Sequence, residues 1–594
     1  MSDQLMRYYE RELAYVRKSL AEFGQRNPAQ AAQLQLHQNS IEDPNITRLI
    51  DGMALLTAKT EQRLDAQVPE LVQGLLAILY PGYSQVQPSY CALTLEPDPE
   101  QLNENVRLPA GSPISIPLPA AGAVEFRTRA DLCIYPFTLN QVSAEAAPFK
   151  HAVPGSIGSA EAVIQLELCC CDPEARFSQL QVENFDFYVR GFEQNAASLI
   201  ELLLTSTQAI ALSDSCGEQH CLVDRERMQS RVSDTDFQWL PRYGNQFAGY
   251  DLLRDYFSYS DKGAYFRIQG LGEELKRFSD NTVTLSLYVR QLPAEFLRLF
   301  DTSVFSLYTV PAINLFEQRG EPLNYDFSRL SVPVIGDADS DADTEVVSVE
   351  TVREVLADGE RALRPLYEVY YGQSADVREW QARQRWDENG CRHMELTIGC
   401  DDIQARQQAS MVLAMDLWCS NGRSPCLVAA DTEATSQAPI DLPGTLRVLT
   451  APTAPQSPLQ DEALAWRFIA LLNANFSSLL QTDNPVRALQ QVLALCCHGR
   501  DCPQADAIRD VQYRQQVATL NVCRTNILAT GTEVTVTLDA ASLGGQQALF
   551  AEVLNRFFQQ FCSYDRYMQL NVRHFGDDRI VKSFPRLHGS QLCL

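Results

Sequence analysis

The N-terminal eighty residues constrain the chain most, because their apolar residues repeat at helical spacing and leave a stripe that has to be covered. Leu5, Tyr9, Leu13, Val16, Leu20 and Phe23 follow one another by three or four residues, which puts all six on one helical face. Glu10, Arg11, Glu12, Arg17 and Lys18 fill the rest of that surface. Asn27-Pro28 ends the helix, since proline lacks the backbone donor and restricts the residue before it. A second start is predicted at Asp43-Pro44, with Asp43 as N-cap and Pro44 at the first helical position. Ile46, Leu49, Ile50, Met53, Leu56, Leu64 and Val68 carry an apolar stripe on to Pro69. From Glu70 to Tyr80 the chain is apolar on most sides (Leu71, Val72, Leu75, Leu76, Ile78, Leu79), and such a helix is expected to be buried. The first stripe, at a terminus that is ordered only if tied down, docks either on the Ile46–Leu79 helices or in a bundle with another subunit.

Length and charge set the outer bounds. At 594 residues the chain is too long for one core, so several domains of ~150 residues are expected. A net charge of −26 argues against nucleic acid and against anionic membrane surfaces, since both are recognised through excess Lys and Arg. No run reaches the ~20 apolar residues of a membrane span, and Met1-Ser2-Asp3-Gln4 does not open a signal peptide, so a cytoplasmic protein is expected. The seventeen cysteines, many in apolar contexts such as Leu168-Cys169-Cys170-Cys171, read as reduced core thiols.

Beyond Pro88 the pattern turns to short alternating runs bounded by Pro and Gly, which predicts an antiparallel β-rich domain over 89–335. Strands are expected at Tyr90–Leu95, Glu125–Ile134, Ala162–Cys169, Phe185–Tyr188, Ala264–Gln269 and Val283–Val289, and helices at Ala197–Leu204 and Gly249–Phe257. Gly336–Thr344 has four aspartates and nothing larger than alanine to bury, so it reads as a linker. A second β-rich domain follows over 345–450, including Leu396–Gly399 and Val412–Leu417, and Ala451–Pro458 with three prolines reads as a stiff extended connector. Over 459–594 helices at Asp461–Leu472, Val486–Cys496 and Ala548–Cys562 alternate with strands at Glu533–Leu538 and Met568–Val572, an α+β domain. The whole is expected to be an α+β multidomain fold, with a helical region at 1–88 ahead of these three.

Candidate chemistry is sparse. Cys496-Cys497-His498-Gly499-Arg500-Asp501-Cys502 gathers three thiols and an imidazole, but no second ligand pair stands at zinc spacing, and a helix end with buried cysteines is the stronger reading. The groups Cys216/His220/Cys221 and Cys391/His393 are weaker still. No Gly-x-Ser-x-Gly and no phosphate-binding glycine loop occurs, and Asp401-Asp402 and Asp577-Asp578 sit in loop contexts. The aromatic groups Tyr250, Tyr256, Phe257, Tyr259 and Tyr367, Tyr370, Tyr371 read as core, with some open to an interface role. No catalytic residue, metal or cofactor is assigned. A cytosolic metal-dependent hydrolase using the Cys496–Cys502 cluster is the alternative.

Several words of the sequence fall in a characteristic order: Tyr8-Tyr9-Glu10-Arg11-Glu12-Leu13, Glu42-Asp43-Pro44, Arg63-Leu64-Asp65, Pro69-Glu70-Leu71 and Leu79-Tyr80-Pro81. After them come Gly249-Tyr250-Asp251-Leu252-Leu253-Arg254-Asp255-Tyr256-Phe257, Asn314-Leu315-Phe316-Glu317 and Asp416-Leu417-Trp418-Cys419-Ser420-Asn421. Ile508-Arg509-Asp510-Val511 and Val553-Leu554-Asn555-Arg556-Phe557-Phe558 close the series. Collinear over nearly the whole chain, these words resemble the TssF family of type VI secretion baseplate subunits. That resemblance implies a structural rather than enzymatic role, in a wedge of two TssF copies with one TssG, joined by TssK, TssE and the VgrG spike hub as a platform for sheath and tube. It also implies a cytoplasmic protein in a baseplate docked at the inner-membrane complex. It makes Leu5, Tyr9, Leu13, Val16, Leu20 and Phe23 a candidate subunit interface. A subunit of a related contractile phage-tail-like particle is a further alternative of the same class.

Overall fold

The computed structural model describes residues 3–27, 44–120, 122–149, 160–192, 196–234, 236–241, 247–336, 344–366, 378–386, 392–399, 410–458, 462–472, 479–480, 482–497, 501–522, 525–562 and 566–589. They divide into two compact units, one made of 1–84 with 460–469, the other of 85–459 with 470–594. The fold is α+β.

In the first unit, α1 (Asp3–Arg26) and α2 (Pro44–Leu79) pack against each other. Helix α2 starts at Pro44 as expected; its proposed cap, Asp43, lies outside the described residues. Where the sequence suggests a break, a single helix of 36 residues runs through Pro69. Ile50, Ala54 and Ala58 of α2 are buried, and the small alanines let a neighbouring helix approach closely. An Arg11–Glu61 ion pair ties α1 to α2. Val72, Leu76 and Tyr80 are buried as well, and Phe468 stacks on Tyr83 at 4.1 Å and meets Tyr80 edge-on at 5.2 Å. The expectation that 70–80 is buried all round needs correction within this chain: Leu71, Ile78 and Leu79 remain exposed on the other sides.

The second unit begins with a closed six-stranded barrel. Around it run Tyr90–Pro97, Thr309–Ile313, Ala123–Thr128, Pro113–Pro117, Glu433–Ser436 and Gly444–Val448. The barrel therefore draws its wall from both β-rich regions, and its alternating residues (Leu93, Ile114, Phe126, Val310, Leu446) are buried. A five-stranded sheet centred on Thr282–Val289 and a four-stranded one centred on Tyr265–Gln269 and Asn184–Val189 adjoin it in sequence. Strands from 316 to 420 build two further sheets around a core that includes Tyr325, Trp380, Leu396, Leu413 and Leu417. Phe316–Arg319 pairs with Met411–Ser420, so that sheet spans the acidic segment; residues 337–343 of that segment lie outside the described residues. Ala451–Pro458 is held rather than free: Thr453 N–H donates to the Tyr90 carbonyl at 2.8 Å, and Gln87 and Gln456 exchange backbone bonds at 2.9 Å.

At the C-terminal end Thr525–Leu538 lies parallel to Tyr567–His574, and α7 (Gln547–Gln560) makes the crossover between them. Counting the longer helices from α2, α3 is Ala196–Ser206, α4 Ala248–Ser258, α5 Glu462–Leu472 and α6 Pro485–Cys496. Tyr567–His574 is not the last strand, because Ile580–Ser583 and Leu587–His588 pair with it. Ile508–Val522, for which the sequence pattern predicts no strand, is the longest strand among the described residues and forms a hairpin with Thr525–Leu538.

Candidate interaction surfaces and structural nodes

The sequence words that stand out do their work inside the fold. Helix α4 carries Gly249 to Phe257, and the residues from Gly249 through Asp255 to Tyr256 are buried. The Asp255 carboxylate accepts the backbone N–H groups of Trp239 at 3.2 Å and Leu240 at 3.1 Å, and it pairs with the Lys262 ammonium. Lys262 is 0% exposed and Asp255 1%, so each charge depends on the other for compensation. Gly263 follows; a Cβ there would stand 2.3 Å from the Leu549 side chain of α7, which would have to shift to admit it. Tyr256 stacks on Phe550 at 6.3 Å, and Tyr250 sits within 6.3 Å of Phe557 and Phe561. Tyr250 O–H donates to the Leu471 carbonyl at 3.1 Å, and burial pushes its phenol well up.

Asn314 and Asn421, from two words a hundred residues apart, clasp each other. Asn314 Nδ2 donates to Asn421 Oδ1 at 2.8 Å, and the Asn421 backbone N–H donates to Asn314 Oδ1 at 2.7 Å. Both amides also bind the barrel strand at Glu125: its N–H donates to Asn421 Oδ1 at 3.0 Å, and its carbonyl accepts from Asn314 Nδ2 at 2.7 Å. The clasp joins the barrel to the next sheet with both side-chain oxygens and the Asn314 amide nitrogen hydrogen-bonded. On that sheet Asp416 sits in a fork of Arg353, whose guanidinium, with the Thr351 hydroxyl, lowers the carboxyl to about 2.

Among the described residues the chemical candidates do not come together as a cluster. Cys496, Cys497 and Cys502 are buried; His498 lies outside the described residues. Burial drives the Cys496 thiol far up, whereas a hydrogen bond from Cys497 lowers Cys502. Cys221 is buried and takes a hydrogen bond from Arg277 at 3.5 Å, while Cys216 is exposed. Cys391, Asp401 and Asp402 are outside the described residues, and His393 lies on the strand Arg392–Gly399. Among the described residues no three His, Cys, Asp or Glu side chains converge as a metal site would require. Asp577 and Asp578 are exposed in a turn. Tyr250, Tyr256 and Tyr259 are core; Tyr367, Tyr370 and Tyr371 are outside the described residues. A crevice lined by Asp131, Cys133, Asp186, Arg231, Tyr265 and Tyr308 has room for about 20 Å³, little more than one water molecule.

Apolar surface is what the helical unit offers instead. Leu5, Tyr9, Leu13, Val16 and Leu20 are half-buried, and Phe23 is 36% exposed, so the stripe is only partly covered within the chain. Leu49, Met53 and Leu56 are more open, at 67%, 61% and 68%. These three lie at i, i+4 and i+7, a second stripe on α2 beside the buried Ile50, Ala54 and Ala58. The sequence pattern merges Leu49 and Ile50 into a single stripe; separating them needs the two buried alanines, which apolar periodicity in large residues overlooks.

A family model described as "Type VI secretion system, TssF" matches residues 1–591. The chain belongs to the TssF family. It is similar to the type VI secretion system component TssF1 of Pseudomonas aeruginosa, with 25% identity over 96% of this chain and 97% of the relative. Its fold is similar to a chain in the cryo-electron microscopy structure of the type VI TssK-TssF-TssG baseplate subcomplex, with a TM-score of 0.76, 22% identity, and 92% and 99% of the two chains covered. A second match, in the structure of the type VI secretion baseplate complex, has a TM-score of 0.59 at 20% identity and covers 99% of this chain and 100% of that one. Among the described residues no helix is long and apolar enough to cross a membrane.

Proposed function

We propose that this TssF-family chain is a structural, non-enzymatic subunit of the type VI secretion baseplate wedge. It pairs there with a second copy and with TssG, and the wedge then contacts TssK, TssE, the VgrG hub and the sheath. The protein works in the cytoplasm, in a baseplate docked at the inner-membrane complex. The observation that carries this reading is the helical unit, which leaves Leu49, Met53 and Leu56 open beside a half-covered stripe from Leu5 to Phe23. Soluble chains rarely leave such apolar patches without a partner. The polar nodes support the same reading, since Asp255–Lys262 and Asn314–Asn421 brace elements against each other rather than facing a cavity.

Co-purification with TssG tests it. Replacing Leu49, Met53 and Leu56 together by serine is expected to leave the melting temperature of the isolated chain within error and to abolish capture of TssG or of a differently tagged second copy. Unchanged capture of both would remove this surface from the wedge.

A further inference from the structure

Among the described residues the outer edge of Ile508–Val522 has no neighbouring strand. Such an edge presents a row of unpaired backbone donors and acceptors that a further strand can use. Charged residues usually guard an edge of this length, and here Arg509, Asp510 and Arg514 do so. Their order matters more than their number. The segment Asp510-Val511-Gln512-Tyr513-Arg514 is complementary to itself when run antiparallel. Asp510 then meets Arg514, Val511 meets Tyr513, and Gln512 meets Gln512.

The other registers lack this match. Centring on Asp510 or Arg514 opposes like charges, centring on Val511 or Tyr513 brings no opposite charges together, and centring between two residues would set outward-facing backbone groups against inward-facing ones. Centring between Arg509 and Asp510 is blocked where α6 reaches the edge, since Gln490 Nε2 donates to the Ile508 carbonyl at 3.1 Å. Centres beyond Arg514 bring no opposite charges together. In the favoured window Gln512, Tyr513 and Arg514 are exposed, Tyr513 at 42%. Gln512 Nε2 donates to Asp510 Oδ2 at 2.7 Å, a contact within the strand that pairing would exchange for Arg514. Arg514 has no ion pair among the described residues although Glu533 lies opposite it in the hairpin. Val511 and Tyr513 share the core-facing side, so a second strand there would cover the tyrosine ring with an apolar cross-strand neighbour.

We propose that this edge pairs with the same edge of a second copy of the chain, antiparallel about Gln512, making one continuous sheet across a two-fold axis. The proposal rests on the reading that two copies share a wedge and adds the surface through which they meet. Five residues a side make a small contact, so the pairing depends on concentration or on other wedge contacts holding the copies close.

The test uses the full-length chain with Gln512→Cys. Residues directly opposite in an antiparallel pair have Cα atoms about 4.5–5.5 Å apart, within disulfide reach. Mild oxidation at high protein concentration, followed by trypsin, is expected to yield peptide 510–514 joined to a copy of itself; the native peptide has no cysteine. Gln516→Cys, four residues off the axis, should not link to itself. In sedimentation, Arg514→Asp or Asp510→Arg alone should weaken self-association by about ten-fold, and the double swap should restore it, because each single change opposes like charges twice. Absence of the self-linked 510–514 peptide from the Gln512→Cys chain, or a double swap as weak as the singles, overturns the proposal. If two copies still co-purify through TssG while that self-link fails to form, the strand surface is wrong and the wedge reading stands.

Discussion

At the residue scale, the two buried pairs and the Asp416 fork separate specificity from net stabilisation. Lys262 and Asp255 are both fully buried, so removing one partner strands the other's charge. Lys262→Met is expected to cost about 3–5 kcal/mol in urea unfolding, with Asp255→Asn added to it recovering part of the loss. A cost below about 1 kcal/mol, the range of exposed pairs, would show that the pair is hydrated rather than sealed in. Asp416 makes a pH-dependent claim. Its carboxyl falls from the ordinary 3.8 to about 2, because Arg353 and Thr351 favour the ionised form. A depressed carboxyl stabilises the fold above its unfolded value, and that contribution is lost as pH falls from about 3.8 through about 2. The stability gap between the native chain and Asp416→Asn, measured by urea midpoint, is therefore expected to be widest at pH 7 and narrower at pH 3. A gap that stays constant over that range would assign the effect to lost hydrogen bonds rather than to ionisation. The pairing is half-open to solvent, so the gap should also shrink in high salt.

At the element scale, what can be read from the sequence depends on whether one periodicity decides the element. Helix α7 shows Leu549, Val553 and Phe557 in a single stripe, all buried, and its bounds are within two residues of those the stripe predicts. Phe557, 0% exposed and edge-on to Phe561 at 5.0 Å, should cost ~3–5 kcal/mol when cut to alanine. A change near zero in thermal unfolding would mean that the site collapses around the gap or that the face is not core. The N-terminal stripe is as legible as a helix and less so as a surface. The six residues from Leu5 to Phe23 do form one face, but the half-burial of the first five and the exposure of Phe23 are matters of packing that spacing alone does not reveal. Ile508–Val522 is hidden because Arg509, Asp510, Gln512, Arg514, Gln515 and Gln516 give it the polarity of a loop. An edge strand with one face to solvent tolerates that, and only its pairing with Thr525–Leu538 makes it a strand. The buried Asp255–Lys262 pair is equally hidden, since nothing in Gly249–Phe257 says which charge faces inward.

At the scale of the whole molecule, sequence breaks and structural units do not coincide. The acidic run Gly336–Thr344 looks like a boundary because it has no side chain worth burying, and the prolines of Ala451–Pro458 look like another. Yet the chain crosses the first break and returns: Phe316–Arg319 and Leu323–Tyr325 pair with Met411–Ser420, and Gly444–Val448 closes the barrel against Tyr90–Pro97. The second stretch is bonded along the start of that same strand, with Tyr90 N–H donating to Thr453 Oγ1 at 3.0 Å and Ala92 N–H to Thr450 Oγ1 at 2.9 Å. Limited proteolysis should therefore treat the two stretches differently. The first cut is expected within 336–344, whose composition offers nothing to bury, and 451–458 should survive until the body unfolds, because its bonds to Tyr90 and Gln87 keep it out of a protease cleft. The nicked protein should still elute from a sizing column as one species, since strands on both sides of the cut share a sheet and a barrel wall. Its two fragments should separate only in denaturant, and its melting temperature should fall modestly, because unfolding now also releases one piece from the other. Fragments that part under native conditions would mean that the sheet does not hold across the acidic segment, and an early cut in 451–458 would mean that the Tyr90 bonds do not protect it.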